Sequence, residues 1–407
     1  MDQRTSDRDA GVTAEFESDV VKLLLETMSN VAKQGREDVG TESVLAALVS
    51  DDWAAGSAIA RGMKAAGSLG GSIGARGTSV WVSQDTGDGE EGAPDDEREI
   101  DSLWREVQQD WAKKLSWKNR KKAEEERDSV ELPPMTGALR TCLRNAVKTA
   151  REEGGVSVRV RHVAHALVEL PDTRAREAMV VEKLDVSAAA AALDALRGGD
   201  TVPEPGSVLM LRKSGTFGKS GNPLTRKLSA WVFGGGAGFG SAIVSAVRAE
   251  ALRGAVRRGA SEQEPVDVLL GILALDRSLT VAERELPEKL TGANQGAELL
   301  RRHGARQDAL ARLLFSSTGA AAGELPVADG TGDRDRRLLH VTQFTASSQD
   351  SPTVGTTHLL AALLDKTGTD AESAAEIERV LTESGVDVAA LRAEPELRVP
   401  GGAARAA

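Results

Sequence analysis

Three groups of residues in this sequence have types and spacings that could do chemistry. Lys213-Ser214-Gly215-Thr216-Phe217-Gly218-Lys219-Ser220 approaches the G-x-x-x-x-G-K-[ST] loop, whose backbone N–H groups cradle phosphates. Lys213 stands where the first Gly belongs, and Gly221-Asn222-Pro223 follows at once, so no helix N-terminus is there to receive the phosphates. The run Gly234-Gly235-Gly236-Ala237-Gly238-Phe239-Gly240 completes G-x-G-x-x-G in no register and reads as a hinge. His162 and His165 lie three apart on a helical pattern and could face a metal together, but no acidic or Cys partner stands nearby in sequence. Cys142 is the sole cysteine, which excludes an internal disulfide and any Cys-rich metal site. Within Leu139-Arg140-Thr141-Cys142-Leu143 it falls on the apolar side of a helix, as a core thiol would. His303 and His340 have no nucleophile or carboxylate at a motif spacing. Neither catalysis nor a cofactor nor a metal is expected.

The elements that would position any site are better marked. Val354-Gly355-Thr356-Thr357-His358-Leu359-Leu360-Ala361-Ala362-Leu363-Leu364 reads as the start of a short buried helix, with Thr356 as its N-cap and Leu359, Leu360, Leu363 and Leu364 on one face. The pattern recurs. Apolar residues stand three, four and seven places after Thr41 (Val44, Leu45, Leu48), after Val160 (Val163, Ala164, Leu167) and after Pro265 (Val268, Leu269, Ile272). In these three copies a Gly lies six residues before that position. Gly35, Gly154 and Gly259 each close a preceding helical pattern where a left-handed C-cap residue would sit. Four copies of one helical unit are therefore expected, in two pairs, because an isolated unit could not bury its own apolar faces.

The totals agree with helices packed through small side chains. The chain has 407 residues, 40% hydrophobic and 28% charged, with 3% aromatic residues and no tyrosine, which allows two or three domains and offers few stacking platforms for bases. Its formal charge of -11 disfavours a general nucleic-acid or acidic-membrane binder. No apolar run approaches the roughly 20 residues that cross a bilayer, and Met1-Asp2-Gln3-Arg4 opens a polar segment and not a signal peptide, so a cytoplasmic location is expected.

In chain order, residues 1–12 read as a loose terminus and 13–66 as the first copy, with a helix over about 14–34, the organising segment at Asp38 to Leu45 and a short helix around 54–63. Residues 67–134 break the pattern as an insertion: 67–77 is Gly- and Ser-rich, 79–83 suggests a short strand, and 85–98 reads as a solvated acidic loop. A helix from Ile100 to about Arg127 then carries Trp104, Trp111 and Trp117. These indoles either dock the insertion on its own domain or serve as partner-binding candidates. The second copy spans 135–197, its last helix capped by Ser187. Residues 201–240 read as a Gly-rich basic linker. The third and fourth copies follow at 241–315 and 333–395, and 398–407 as a loose tail. The fold class expected is all-α: a first domain over 13–200 and a second over 241–397.

Val39-Gly40-Thr41-Glu42, Val354-Gly355-Thr356-Thr357-His358 and the turn Ser384-Gly385-Val386 resemble segments of the Clp amino-terminal domain. That family is the substrate- and adaptor-binding module of Clp-type protein unfoldases, built from two repeats of a four-helix unit. Its repeat has a Val/Ile-Gly-Thr-Glu-His capping segment six residues after a helix-ending Gly. Ser43 replaces His in the first copy and Thr357 replaces Glu in the fourth. The second keeps only His162, with Arg161 in the Glu place, and the third, Pro265-Val266-Asp267, has lost the polar signature. The family's ATPase modules do not appear here, so the resemblance implies a stand-alone protein with two such domains. It would be non-enzymatic and bind Clp components, adaptors, substrates or Clp-directed cyclic peptides as adaptor, competitor or decoy. Some family members recognise phosphorylated arginine through the Glu of the capping segment. That implication falls on Gly40, Thr41 and Glu42, and on Thr356, Thr357 and His358 at the fourth copy, with Glu42 the only carboxylate in the Glu place and otherwise an ordinary first-turn helix acid. A structural scaffold unrelated to proteolysis, or a nucleotide-dependent chaperone, is the alternative.

Overall fold

Each periodic stretch in the sequence becomes a helix because its apolar residues recur at three- and four-residue steps and can be buried together. The computed structural model describes residues 14–51, 53–76, 81–89, 92–119, 133–198, 204–218, 241–260, 262–316, 333–365 and 367–398. Among these the protein is all-α apart from two two-residue strands, and no helix is long and apolar enough to cross a membrane. The chain divides into two compact units, the first over Ala14–Pro203 and the second beginning at Glu204.

The first unit runs β1 (Glu15–Phe16), α1 (Ser18–Lys33), α2 (Thr41–Ser50), α3 (Ala54–Ile59), α4 (Met63–Arg76), α5 (Pro94–Asn119), α6 (Gly137–Glu152), β2 (Ser157–Val158), α7 (Val160–Glu169), α8 (Arg174–Val181) and α9 (Val186–Asp194). Helices α1 to α4 and α6 to α9 form two sets of four in chain order, and the segments leading into them exchange backbone contacts. β1, leading into α1, pairs in parallel with β2, leading into α7. Val39, leading into α2, bridges in the same sense to Met135, leading towards α6. At the centre of the core lies α2, where Val44, Leu45 and Leu48 are fully buried; each such side chain contributes about 1.5–3 kcal/mol relative to exposure.

Gly35 and Gly154 end α1 and α6 with φ of 64° and 75°, the left-handed conformation that glycine adopts at least cost. Other local expectations change. The Gly- and Ser-rich 67–77 stretch is largely the fourth helix of the first repeat, α4, because Leu69 and Ile73 bury one face of it and tertiary burial outweighs the low helix propensity of Gly. The insertion thus begins after Arg76. Residues 79 and 80 of the expected strand lie outside the described residues, and 81–89 form no regular element. The α9 cap is Asp185, which accepts from Ala188 N at 3.0 Å, and not Ser187. Helix α5 docks on its own unit. Ile100, Leu103, Val107 and Trp111 join its core, Trp104 packs half-buried against it, and the Trp117 side chain lies outside the described residues. Trp111 is 6% exposed, so its indole is taken up inside the unit and not offered to a partner. Ion pairs from Glu97 to Arg140 and Arg144, each at 2.8 Å, fasten α5 to α6.

The second unit contains α10 (Gly206–Lys213), α11 (Ala242–Arg258), α12 (Pro265–Val281), α13 (Glu288–Thr291), a 3-10 turn (Gly292–Asn294), α14 (Gly296–Arg302), α15 (Gln307–Ser316), α16 (Asp333–Ser348), α17 (Thr356–Leu364), α18 (Ala371–Glu383) and α19 (Val388–Ala393). The segment expected as linker holds α10, whose Val208 and Leu211 are fully buried in this unit's core. Helix α12 runs for 17 residues, since its apolar face continues to Leu279. Gly259 closes α11 with φ 77°. In the fourth copy, which lacks the Gly, Asp350 takes the same place with φ 51°. The turns Gly304 and Gly385, at φ 95° and 86°, meet: Asp387 N donates to His303 O at 3.1 Å.

Candidate functional site

The four marked helix starts all lie in buried surroundings, and in three of them the residue in the motif's His place is a polar group tied to the capping backbone; at α2 that residue, Ser43, instead donates to Glu42 Oε1 at 3.1 Å. At α7 and α17, His162 and His358 accept through Nδ1 from Arg159 N at 2.9 Å and Gly355 N at 3.0 Å. At α12 the same task falls to Asp267, which accepts from Glu264 N at 2.8 Å and is paired with Arg258 at 2.7 and 2.9 Å. The third copy has therefore kept a polar cap; an acid replaces the imidazole, and a guanidinium from the preceding helix neutralises it. Burial pushes the His162 pKa down to about 4, with Arg161 adding to the shift, and lowers that of His358. Both imidazoles are buried acceptors. His162 Nε2 does have an acidic neighbour, Glu153 at 3.2 Å, which the sequence separation hides. Glu153 itself is held down at about 2 by its bonds to Arg161, against its burial.

The hydroxyls of the capping segments do not cap their own helices. The N-caps of α2 and α17 are Gly40 and Gly355. Thr356 Oγ1 accepts from Gly296 N at 3.1 Å and Thr357 Oγ1 from Gln295 N at 2.9 Å, so the fourth copy caps α14 of the third. In return Asn294 Oδ1 accepts from Thr356 N at 2.9 Å. Thr41 Oγ1 likewise accepts from Ala175 N at 3.1 Å, capping α8. Glycine is required at Gly355, where an added Cβ would lie 2.1 Å from the Ala293 carbonyl.

In the first unit the return contact is made by a residue of the insertion. Asp85, 1% exposed, accepts four hydrogen bonds: from Thr41 N at 2.8 Å, Thr41 Oγ1 at 2.7 Å, Thr136 Oγ1 at 2.8 Å and Arg174 N at 3.1 Å. Its own carbonyl accepts from Ala138 N at 2.9 Å. The N-terminal ends of α2, α6 and α8 converge on this one carboxylate, where their dipoles favour negative charge. The sequence reading missed Asp85 and placed it in a solvated loop. Beside it, Glu42 is fully buried and bonded to Arg36 at 2.9 Å, and Arg174 reaches Asp38 at 2.8 Å and Glu42 at 3.7 Å. Burial raises the Glu42 pKa in spite of both arginines. Two buried polar atoms here have no hydrogen-bond partner, Glu42 Oε2 and Arg174 Nε.

The described part of the phosphate-loop-like segment, Lys213 to Gly218, is the C-terminal end of α10 and the turn after it. Free carbonyls and not N–H groups collect at such an end. Cys142 is fully buried, and burial raises its thiol pKa. Among the described residues no group of His, Cys, Asp and Glu is placed to hold a metal. Comparison with known proteins finds no matching family model, no matching curated protein and no matching solved structure.

Proposed function

We propose that this protein is a non-enzymatic recognition module of the Clp type: two Clp-amino-terminal-like units that bind Clp components, adaptors, substrates or Clp-directed cyclic peptides. The observation that carries the reading is the exchange at two of the four capping segments, those of α2 and α17, whose threonine hydroxyls accept from backbone N–H groups in the first turns of α8 and α14. Four motif starts, each six residues after a left-handed residue, support it as well.

Phosphoarginine is the less favoured ligand within this reading. Glu42, the only carboxylate in the Glu place, already has a guanidinium partner in Arg36 and is buried, so a ligand guanidinium would have to displace an internal one. Peptide or protein surfaces are the better fit. The test is calorimetry of the purified full chain against a Clp unfoldase amino-terminal domain, a Clp adaptor and a Clp-directed cyclic peptide, with phosphoarginine in parallel and Glu42→Ala as control. Saturable binding of any of the first three supports the assignment, and silence for all four ligands overturns it.

A further inference from the structure

We propose that the outer face of α4 and α8 is the contact of a two-fold dimer, in which α4 packs antiparallel on α4 of a second copy of this chain. Five large apolar side chains stand exposed among the described residues, and four of them lie on this face: Met63, Val82, Val180 and Val181, at 94%, 87%, 62% and 43%. Their common place follows from the contacts between the two helices. Arg76, at the end of α4, pairs with Glu177 near the start of α8 at 3.3 Å, and Ser68 donates to Glu182, just past the end of α8, at 2.6 Å. The helices therefore run antiparallel, side by side. Val82 N donates to the same Glu177 at 2.9 Å, which puts Val82 at the Arg76 end. Exposed apolar residues that cluster mark an interaction surface, whereas scattered ones do not.

The shape of the face says what covers it. Helix α4 carries glycine at 67, 70, 71 and 74, the residue that, proline apart, suits a helix interior least. The unit itself does not ask for three of them. A Cβ added at Gly67, Gly71 or Gly74 would meet nothing within 4 Å, and only at Gly70 would it touch a neighbour, Ser50 Oγ at 3.4 Å. Leu69 and Ile73 are buried on the opposite side. At steps of four and three residues, Gly67, Gly71 and Gly74 line an open channel along α4, with Ala75 exposed beside it. A helix laid in such a channel can bring its own backbone close. The helix that fits is α4 itself. A two-fold axis at Gly71 sets Gly71 on Gly71, Gly67 on Ala75 and Ser68 on Gly74, small against small throughout. The same reversal carries Met63 of one copy to the Val82 end of the other, so the two most exposed apolar side chains cover each other. At about 1.5 Å rise per residue α4 is about 21 Å long, and two adjacent helix faces of that length give on the order of 400 Å² per copy, half of the roughly 800 Å² in a standard interface. The dimer is accordingly weak and reversible.

This inference does not rest on the Clp reading, and sedimentation equilibrium of the full chain tests it. The wild type should pass from monomer to dimer with a midpoint on the order of 10–100 μM. Gly71→Leu should stay monomeric over the same range and melt no lower than the wild type, because its side chain enters open space in the monomer and favours the helix. Gly71→Cys should cross-link across the axis under mild oxidation with diamide, and Lys113→Cys on the exposed side of α5 should not; Cys142 is buried and gives no background. A wild type still monomeric at on the order of 1 mM, or a dimer that Gly71→Leu leaves intact, would overturn the proposal. So would a monomeric chain in which Gly71→Leu weakens calorimetric binding of a Clp domain or adaptor, since the face would then belong to a different protein. A Gly71-dependent dimer that is silent towards every Clp ligand upholds it and sinks only the recognition reading.

Discussion

The starts of α2 and α17 are the same piece of structure closed in two ways. Both have a Gly N-cap, both lend a threonine hydroxyl to another helix of the same unit, and both receive a side-chain oxygen on the first helical N–H. At α17 that oxygen is the Asn294 amide, supplied by the turn just before the helix that α17 caps. At α2 it is the Asp85 carboxylate, supplied by an insertion 44 residues further along the chain. A neutral amide satisfies one donor and closes a local exchange. A charged group gathers four donors from three helices, so the order of the first unit's centre depends on a segment that its repeats do not contain.

A second pairing inside the first unit explains why the carboxylate is needed. At the α7 start, Asp19 of the first turn of α1 accepts from Val160 N at 3.4 Å and from Val20 N at 2.8 Å. The equivalent residue of α6, two beyond its N-cap Thr136, is Ala138, which has no oxygen to give. Asp85 supplies at the α2 start the oxygen that Asp19 supplies at the α7 start.

If the charge difference matters, the largest effect follows Asp85→Ala, which orphans buried donors and should cost about 3–5 kcal/mol of first-unit stability. Urea unfolding followed by hydrogen exchange in each unit separately would measure it, and a loss no larger than that of Asn294→Ala would break the comparison. The next effect is one of pH. Burial raises the Asp19 pKa from 3.8 to about 6, so the folded state holds a proton that the unfolded state has released, and this group's contribution falls as pH rises from about 4 to 6. Relative to wild type, Asp19→Asn should therefore gain up to about 2–3 kcal/mol across that window, somewhat less with solvent screening. A flat difference between the two proteins from pH 4 to 7 would show that Asp19 is not a buried counterpart of Asp85. His162, lowered to about 4, works in the opposite direction: its neutral folded form loses stability as pH falls from 6.5 towards 4, and comparing the two proteins at each pH removes that background. Asn294→Ala removes one neutral cap and should cost about 1 kcal/mol in the second unit. Smallest is Thr357→Val, which frees only Gln295 N at a cost of about 0.5–1 kcal/mol. A shift as large as that of Asp85→Ala for either would mean that the amide-closed start is no less dependent on its cap than the charged one.

Much of this was legible in the residues themselves. The helical units follow from apolar spacing, and Gly35, Gly154 and Gly259 announce the left-handed positions that they occupy, because few other residues adopt that conformation without cost. Asp350 was not legible in that role, since an Asp there is permitted but not demanded. The site was legible only in part. Thr41, Glu42, Thr356, Thr357 and His358 were marked as belonging to helix starts, but that the threonines cap another helix, that Asp267 stands in for a histidine and that Glu42 is buried against Arg36 are facts of packing. One signal pointed toward Asp85: the first turn of α6 lacks the acid that α1 has in Asp19.

What the sequence by itself determined is local. Periodicity chose helices, glycine chose where three of them turn, and composition chose small-residue packing over aromatic cores, all because these depend on neighbours within one or two turns. Tertiary structure decided which oxygen meets which helix end. Asp85 and Thr41 have no shared period, and the carboxylate's place was settled only when three helix N-termini, each short of an acceptor, came together around it. Burial of polar groups is a property of that assembled surface, and a donor cut off from water must find its partner there at whatever sequence distance it lies.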